Sequence, residues 1–312
     1  MSWRINTIIG LLFFVACTQE KQSIAIPEKA TPVQSKYLIE AEELASLIGR
    51  SNFKIIDFRK PKEYKTDHIT NAINIWRSDI EDSTFSYSGM MAGPNQIESL
   101  FSERGISNQD TLIIYDDNGL CDSSRLWWIL ENYDFNQVKL LHGGYSAWKA
   151  IGGEVTNKVN TLPRSSFDLT RNPSMKYFIS KEGVSAKLAT STILDTRTTD
   201  EYSGKRQKKG AAQGGRIPNS QHIDWAEAID YNGDKKFKSI EELLDIYGEL
   251  NPTEDNPILV YCHSGVRSAH TTFVLTQLLG LKHVKNYDGS WTEWSQFEDL
   301  EIEKDSITTI KT

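Results

Sequence analysis

The feature that most limits what this chain can fold into is an internal repeat. Ile55-Ile56-Asp57-Phe58-Arg59, followed by Glu63-Tyr64, returns as Ile193-Leu194-Asp195-Thr196-Arg197, followed by Glu201-Tyr202. In the same order, His68-Ile69-Thr70-Asn71-Ala72 answers to Arg216-Ile217-Pro218-Asn219-Ser220, and Leu112-Ile113-Ile114-Tyr115-Asp116 to Ile258-Leu259-Val260-Tyr261-Cys262. Gly143-Gly144-Tyr145-Ser146-Ala147-Trp148 closes the first copy as Gly289-Ser290-Trp291-Thr292-Glu293-Trp294 closes the second. A repeat on this scale means two structural units of one plan. With 312 residues, 38% of them hydrophobic, the chain can give each unit its own core.

Within the first unit a helical stretch at 40–48 precedes a strand at 54–58. A strand at 111–115 leads into a helix at 123–132, then come a strand at 138–141 and a closing helix near Trp148. Short strands alternating with helices predict an α/β fold, a parallel sheet covered on both faces. Ligands of such sheets sit beyond the carboxyl ends of the strands, where Asp57, Asp116, Asp195 and Cys262 fall. Residues 154–175 are polar, carry Pro163 and Pro173 and lack periodicity, so they read as a linker.

The chemistry concentrates in one of the two loops. The apolar run 257–261 ends in Cys262-His263-Ser264-Gly265-Val266-Arg267-Ser268 and opens into a helix. Backbone N–H groups of a tight loop and a helix N-terminus favour a thiolate, holding its pKa below the free value of roughly 8.5. Arg267 adds a fixed positive charge, and Gly265 permits the turn. From Cys262 to Arg267 the spacing is C-x-x-x-x-R, one residue shorter than the C-x-x-x-x-x-R ring that wraps phosphate in cysteine phosphatases. The smaller ring suits a sulfur atom carried on the cysteine. In the first unit Asp116 stands at the cysteine position, and a carboxylate can neither accept nor donate sulfane sulfur. Asp116-Asp117-Asn118-Gly119 is acidic where the second loop is basic, so it is expected to repel anions.

Loop and repeat together resemble the tandem two-domain rhodanese-type sulfurtransferases, over about residues 37–302. Arg216-Ile217-Pro218-Asn219-Ser220 is close to that family's GHIPGA-like segment. The resemblance implies two tandem rhodanese-like domains, a non-catalytic one at 37–153 supplying part of the cleft wall and a catalytic one at 176–302, with a tail at 303–312. It further implies ping-pong transfer: the Cys262 thiolate takes sulfane sulfur from an anionic donor and yields it to cyanide or a thiol. Neither cofactor nor metal is called for, and three cysteines at these spacings make no zinc site.

Several side chains are donor-binding candidates on the same resemblance. Arg197 matches a substrate-binding arginine of the mercaptopyruvate branch, against an ion pair with Asp195. Arg216 takes the family's histidine position, against a rim ion pair, and His68 falls where mercaptopyruvate enzymes carry a cleft histidine, against a surface role. Glu201 departs from thiosulfate enzymes that carry a second arginine there. Arg267 binds donor or braces the loop through Asp195. His263-Ser264 and Arg267 lie between the thiosulfate and mercaptopyruvate loop patterns. The charge of Arg267, and of His263 when protonated, favours thiosulfate. A cysteine phosphatase, a persulfide-carrying or binding lipoprotein with little turnover and a purely structural lipoprotein are the rival readings.

The net charge of -7 argues against a nucleic-acid partner. Lys205-Arg206-Gln207-Lys208-Lys209 is the one basic cluster, either a solvated loop or a means of steering anions to the cleft. At the N-terminus, Arg4 precedes an apolar run at 8–16 that is too short to span a bilayer. Phe14-Val15-Ala16-Cys17 resembles a bacterial lipobox. A signal peptide at 1–16, lipidation of Cys17 and a tether at 17–36 are expected, placing the protein in a bacterial envelope, facing the periplasm, with membrane contact through the lipid only. That leaves Cys121 and Cys262 as free thiols.

Overall fold

Strand and helix segments assemble into the same sheet twice. The computed structural model describes residues 31–305. Its first half holds β1 (Leu38–Ile39), β2 (Phe53–Asp57), β3 (His68–Ile69), β4 (Ile73–Asn74), β5 (Thr111–Tyr115), β6 (Val138–Leu141) and β7 (Val155–Thr156). The helices of that half are α1 (Ala41–Leu47), α2 (Pro61–Thr66), α3 (Pro94–Glu103), α4 (Cys121–Asn132) and α5 (Gly144–Ala150). The second half holds β8 (Phe178–Ile179), β9 (Thr192–Asp195), β10 (Gln221–His222), β11 (Ile258–Tyr261) and β12 (Val284–Tyr287). Around them lie α6 (Lys181–Lys187), α7 (Thr199–Tyr202), α8 (Ile240–Tyr247), α9 (Val266–Phe273) and α10 (Ser290–Trp294). Both five-stranded sheets are wholly parallel, in the orders β1-β6-β5-β2-β4 and β8-β12-β11-β9-β10, so equivalent strands take equivalent places. Register repeats as well: Tyr115 lies beside Asp57, and Tyr261 beside Asp195. The chain therefore builds the expected tandem α/β domains.

Central strands β5 and β11 are almost wholly buried, which is why both are continuous apolar runs rather than alternating ones. Each half has an outer apolar cluster, around Leu44, Tyr64 and Trp148 in the first and Val184, Ile217 and Trp294 in the second. A third cluster runs through both halves, carried by α4 and α9. All twelve residues of α4 are buried, and Trp127 meets Phe273 of α9 edge-on at 4.8 Å between ring centroids. The halves thus share a core, and the two helices that follow the two loops are its centre.

Two segments read as loose in the sequence are fastened. In the linker, β7 pairs antiparallel with β3, and Phe167 is buried edge-on to Phe101 and Phe135 at 4.8 and 5.1 Å. The described end of the expected tether is docked too: Val33 is buried, and Thr31 exchanges hydrogen bonds with Ile240 and Glu241 of α8. Burial of one apolar side chain and satisfied backbone groups explain the difference. The expected signal peptide and Cys17 lie outside the described residues. Among the described residues no helix is long and apolar enough to cross a membrane.

Candidate active site

Strand β11 delivers Cys262 to the sheet's carboxyl edge. The Tyr261 hydroxyl donates to Asp195 Oδ2 at 2.7 Å, fixing the strand end. Beyond Cys262 the loop turns at Gly265, whose φ of 75° is left-handed; an added Cβ there would lie 2.6 Å from the Asp288 carbonyl oxygen and 2.8 Å from Arg125 Nη1. Ser290 Oγ accepts from the N–H groups of Cys262 (3.2 Å) and Gly265 (3.1 Å) while donating to the Tyr287 carbonyl (2.8 Å). The loop's own carbonyls, from Cys262 and His263, accept from Trp291 and Thr292 N–H at 3.1 and 2.8 Å. Ser290 is an anchor that the sequence reading did not single out.

Cys262 is 1% exposed, and its Sγ accepts a hydrogen bond from Ser268 Oγ at 3.4 Å. Burial pushes the thiol pKa up. The Arg267 charge and hydrogen bonds from Ser268 and the loop backbone outweigh it, leaving the thiol below its ordinary value. Arg267 is held bidentately by Glu201, at 2.8 and 2.9 Å. So the loop arginine is braced through Glu201 and not through Asp195. Glu201, pulled the other way by burial, is held down at about 2 by that arginine. His263 gives its Nε2 to the Lys209 carbonyl at 3.0 Å; burial, then the charge of Lys208, lowers its pKa to about 4. At neutral pH it adds no charge, which corrects the expectation that it helps attract anions.

The remaining donor-binding candidates are elsewhere. Arg197 is 1% exposed; its guanidinium pairs with both oxygens of Asp195 (2.5–3.0 Å), reaches the Gly215 carbonyl (2.8 Å) and stacks on Trp291. Arg59 does the same in the silent half, pairing with Asp57, donating to the Asp67 carbonyl and stacking on Tyr145. A contact present in both halves cannot be specific to the chemistry of one. Asp195 accordingly supports Arg197 and Tyr261. His68 is fully buried, bonded to the Tyr64 and Lys158 carbonyls and stacked on Tyr64 at 3.8 Å. Arg216, its counterpart, lies over Tyr202 and pairs with Glu303 and Asp305. Neither side chain lines the cavity at Cys262.

That cavity, about 180 Å³, is built by equivalent positions of the two halves. Asn118 matches Ser264, Cys121 matches Val266 as the first residue of the following helix, and Arg77, three residues beyond β4, matches Trp225, three beyond β10. Arg77 is paired with Asp122, the second residue of α4. Lys208, from the basic cluster, lines the mouth; partial desolvation there, then the charge of Arg267, pulls its pKa down. Among the described residues Lys208 makes no ion pair, so its charge is available to a ligand. The basic cluster is therefore more than a solvated loop.

The silent loop differs for a physical reason. The buried Asp116 carboxylate turns inward and accepts from the N–H groups of Asn118, Leu120 and Ser123 and from Ser123 Oγ, at 2.8–3.0 Å. It fills with its own oxygens the place an anion would take. Burial, then the neighbouring Asp122, raises its pKa to about 6. Cys121 is buried beside it, its thiol pushed well up by burial and by Asp122, so the one other described cysteine is a poor nucleophile. Both thiols are free, and no cluster of metal-ligating side chains occurs among the described residues.

The sequence profile of the rhodanese-like domain matches residues 40–151 and 180–297. A protein of Mycobacterium tuberculosis named "Putative thiosulfate sulfurtransferase SseA" is 33% identical over 282 residues, 86% of this chain and 93% of that protein. A "Putative thiosulfate sulfurtransferase" of Mycolicibacterium smegmatis is 34% identical over 247 residues, 77% of this chain and 87% of the other. Among solved structures, wild-type EanB superposes with a TM-score of 0.75 at 20% identity, over 87% of this chain and 70% of that one. An anaerobic ergothioneine biosynthesis enzyme from Chlorobium limicola gives 0.74 at 21%, over 87% and 71%. These likenesses carry the fold. Two profile matches in tandem, with relatives of nearly equal length, establish that this chain belongs to the rhodanese family of sulfurtransferases.

Proposed function

We propose that this sulfurtransferase takes sulfane sulfur from thiosulfate onto Cys262 and passes it to a thiol or to cyanide. The Cys262 thiolate attacks the outer sulfur, the S–S bond of the donor breaks, sulfite leaves with the electron pair, and a Cys262 persulfide remains. The acceptor then attacks the outer persulfide sulfur and returns the pair to the Cys262 thiolate. One observation carries the reading: a thiol of lowered pKa sits in a small cavity lined by Arg77, Lys208 and Arg267. Asp122 and Glu201 offset two of those charges, and the free ammonium of Lys208 balances the Cys262 thiolate, so no net negative charge opposes a compact dianion.

Thiosulfate and 3-mercaptopyruvate supplied side by side test the donor, with thiocyanate as readout and a mass gain of about 32 Da on the Cys262 peptide as the intermediate. Faster loading from 3-mercaptopyruvate would reassign the donor. Lys208→Ala is expected to lower kcat/KM for thiosulfate by about tenfold, the worth of one charge-assisted hydrogen bond, with cyanide attack on preformed persulfide unchanged. We further propose that the protein is anchored in a bacterial envelope through Cys17. Partition of the full chain into detergent, and its loss in Cys17→Ala, is the measurement.

A further inference from the structure

We propose that the cavity left open in the silent half is the acceptor subsite, and that it takes a small zwitterionic thiol. The inference rests on the persulfide reading above and extends it. This second cavity, about 350 Å³, sits over the silent loop and is lined by Lys60, Glu63, Trp76, Asp117 and, shared with the catalytic cavity, Arg77 and Asn118. Two compartments therefore share a wall, and one of them holds Cys262. The smaller one suits a compact donor, and the larger gives room to the bulkier of the two substrates.

The silent half has no use for that space in its own chemistry. Its anion seat is occupied by the Asp116 carboxylate. Yet the volume above the seat is not packed. The walls also differ from those of the donor cavity in charge. Lys60 is exposed and makes no ion pair among the described residues; Glu63 caps the Lys60 N–H through Oε2 at 3.1 Å, and its other oxygen is uncommitted. Asp117 is engaged through Oδ1 by Ser146 and Lys235 and presents its other oxygen. An ammonium set against Glu63 or Asp117 and a carboxylate set against Lys60 would satisfy an amino-acid-type thiol. Trp76 and Phe58, 6.0 Å apart, give its carbon chain an apolar wall. The thiol then points past Asn118 and Arg77, the wall shared with the Cys262 cavity. Its proton leaves to solvent, the thiolate attacks the outer sulfur of the Cys262 persulfide, and a persulfide of the acceptor departs.

The test uses the full chain loaded with thiosulfate and freed of excess donor. Glutathione, 2-mercaptoethanol and cyanide are compared as acceptors in the wild type and in Lys60→Glu. The expected result is a rise of about tenfold in KM for glutathione, with the other two acceptors and the loading stoichiometry within twofold of wild type. Trp76→Ala is expected to raise the same KM with the same selectivity. Equal changes for all three acceptors, or none for glutathione in either variant, would overturn the inference. Absence of any Cys262 persulfide in the wild type would instead remove the functional reading itself, so the two failures are distinguishable.

Discussion

Replacing Cys262 by serine is expected to lower sulfur transfer by on the order of 10⁵-fold, the scale of loss when a covalent nucleophile is removed. A serine hydroxyl cannot ionise near neutral pH or hold a sulfane sulfur, while its size leaves the Ser290 and Ser268 contacts of the loop in place. The thermal transition should therefore stay within a few degrees of wild type. Residual transfer through Cys121 would refute the assignment. The pH dependence checks the same site independently. Because the folded thiol pKa lies below its ordinary value, persulfide formation keeps its rate as pH falls to that lowered value and declines below it. Arg267→Ala removes the cation and leaves Glu201 unpaired beside the cavity, so the acid limb moves to higher pH. A limb that stays in place would show that Arg267 does not govern the thiol.

Arg197→Ala is expected to cost about 3–5 kcal/mol of stability, because it leaves the fully buried Asp195 carboxylate without its partner. Denaturant unfolding should register this as a lower midpoint at unchanged slope. The folded fraction should bind donor with nearly wild-type KM, since the guanidinium lies away from the Cys262 cavity. Arg59→Ala supplies the control: the same geometry in the silent half predicts a loss of the same order. If Arg197→Ala keeps its stability within about 1 kcal/mol but raises the donor KM tenfold, the arginine binds donor after all.

What could be read from the sequence follows from what repeats. Strand ends and the difference between the two loops were legible because an aligned pair such as Asp116 and Cys262 isolates a chemical difference on a common backbone. The same comparison misleads where a residue type is chemically suggestive but structurally required. Arg197 looks like a donor ligand by its place two residues past a strand end, and only the matching Arg59 reveals its duty to the fold. His68 and Arg216 share one seat on a helix tyrosine, Tyr64 or Tyr202, which no spacing announces. Arg77 escapes because its counterpart is Trp225, an uncharged residue, and Lys208 because the cluster that holds it belongs to an insertion. Arg77 reaches the cavity through the packing of α4 on α9, and Lys208 through the contact of its loop with His263, tertiary facts with no local signature.

The brace that Arg125 throws across that packing bears on how the chain can be divided. From α4 of the silent half its buried guanidinium meets Asp288 Oδ1 at 2.5 Å and donates to the Gly265 carbonyl, at the turn of the catalytic loop. In return His270 of α9 reaches the Gly119 carbonyl of the silent loop at 3.1 Å. A cut in the linker would give two pieces of ordinary domain size, as the sequence suggests, but neither would be a usable module. The catalytic piece would carry Asp288 with no counter-charge, Phe273 with no indole to cover it, and a turn held from one side only. The first half has no cysteine at the position of Cys262, yet the loop that carries Cys262 is half its construction.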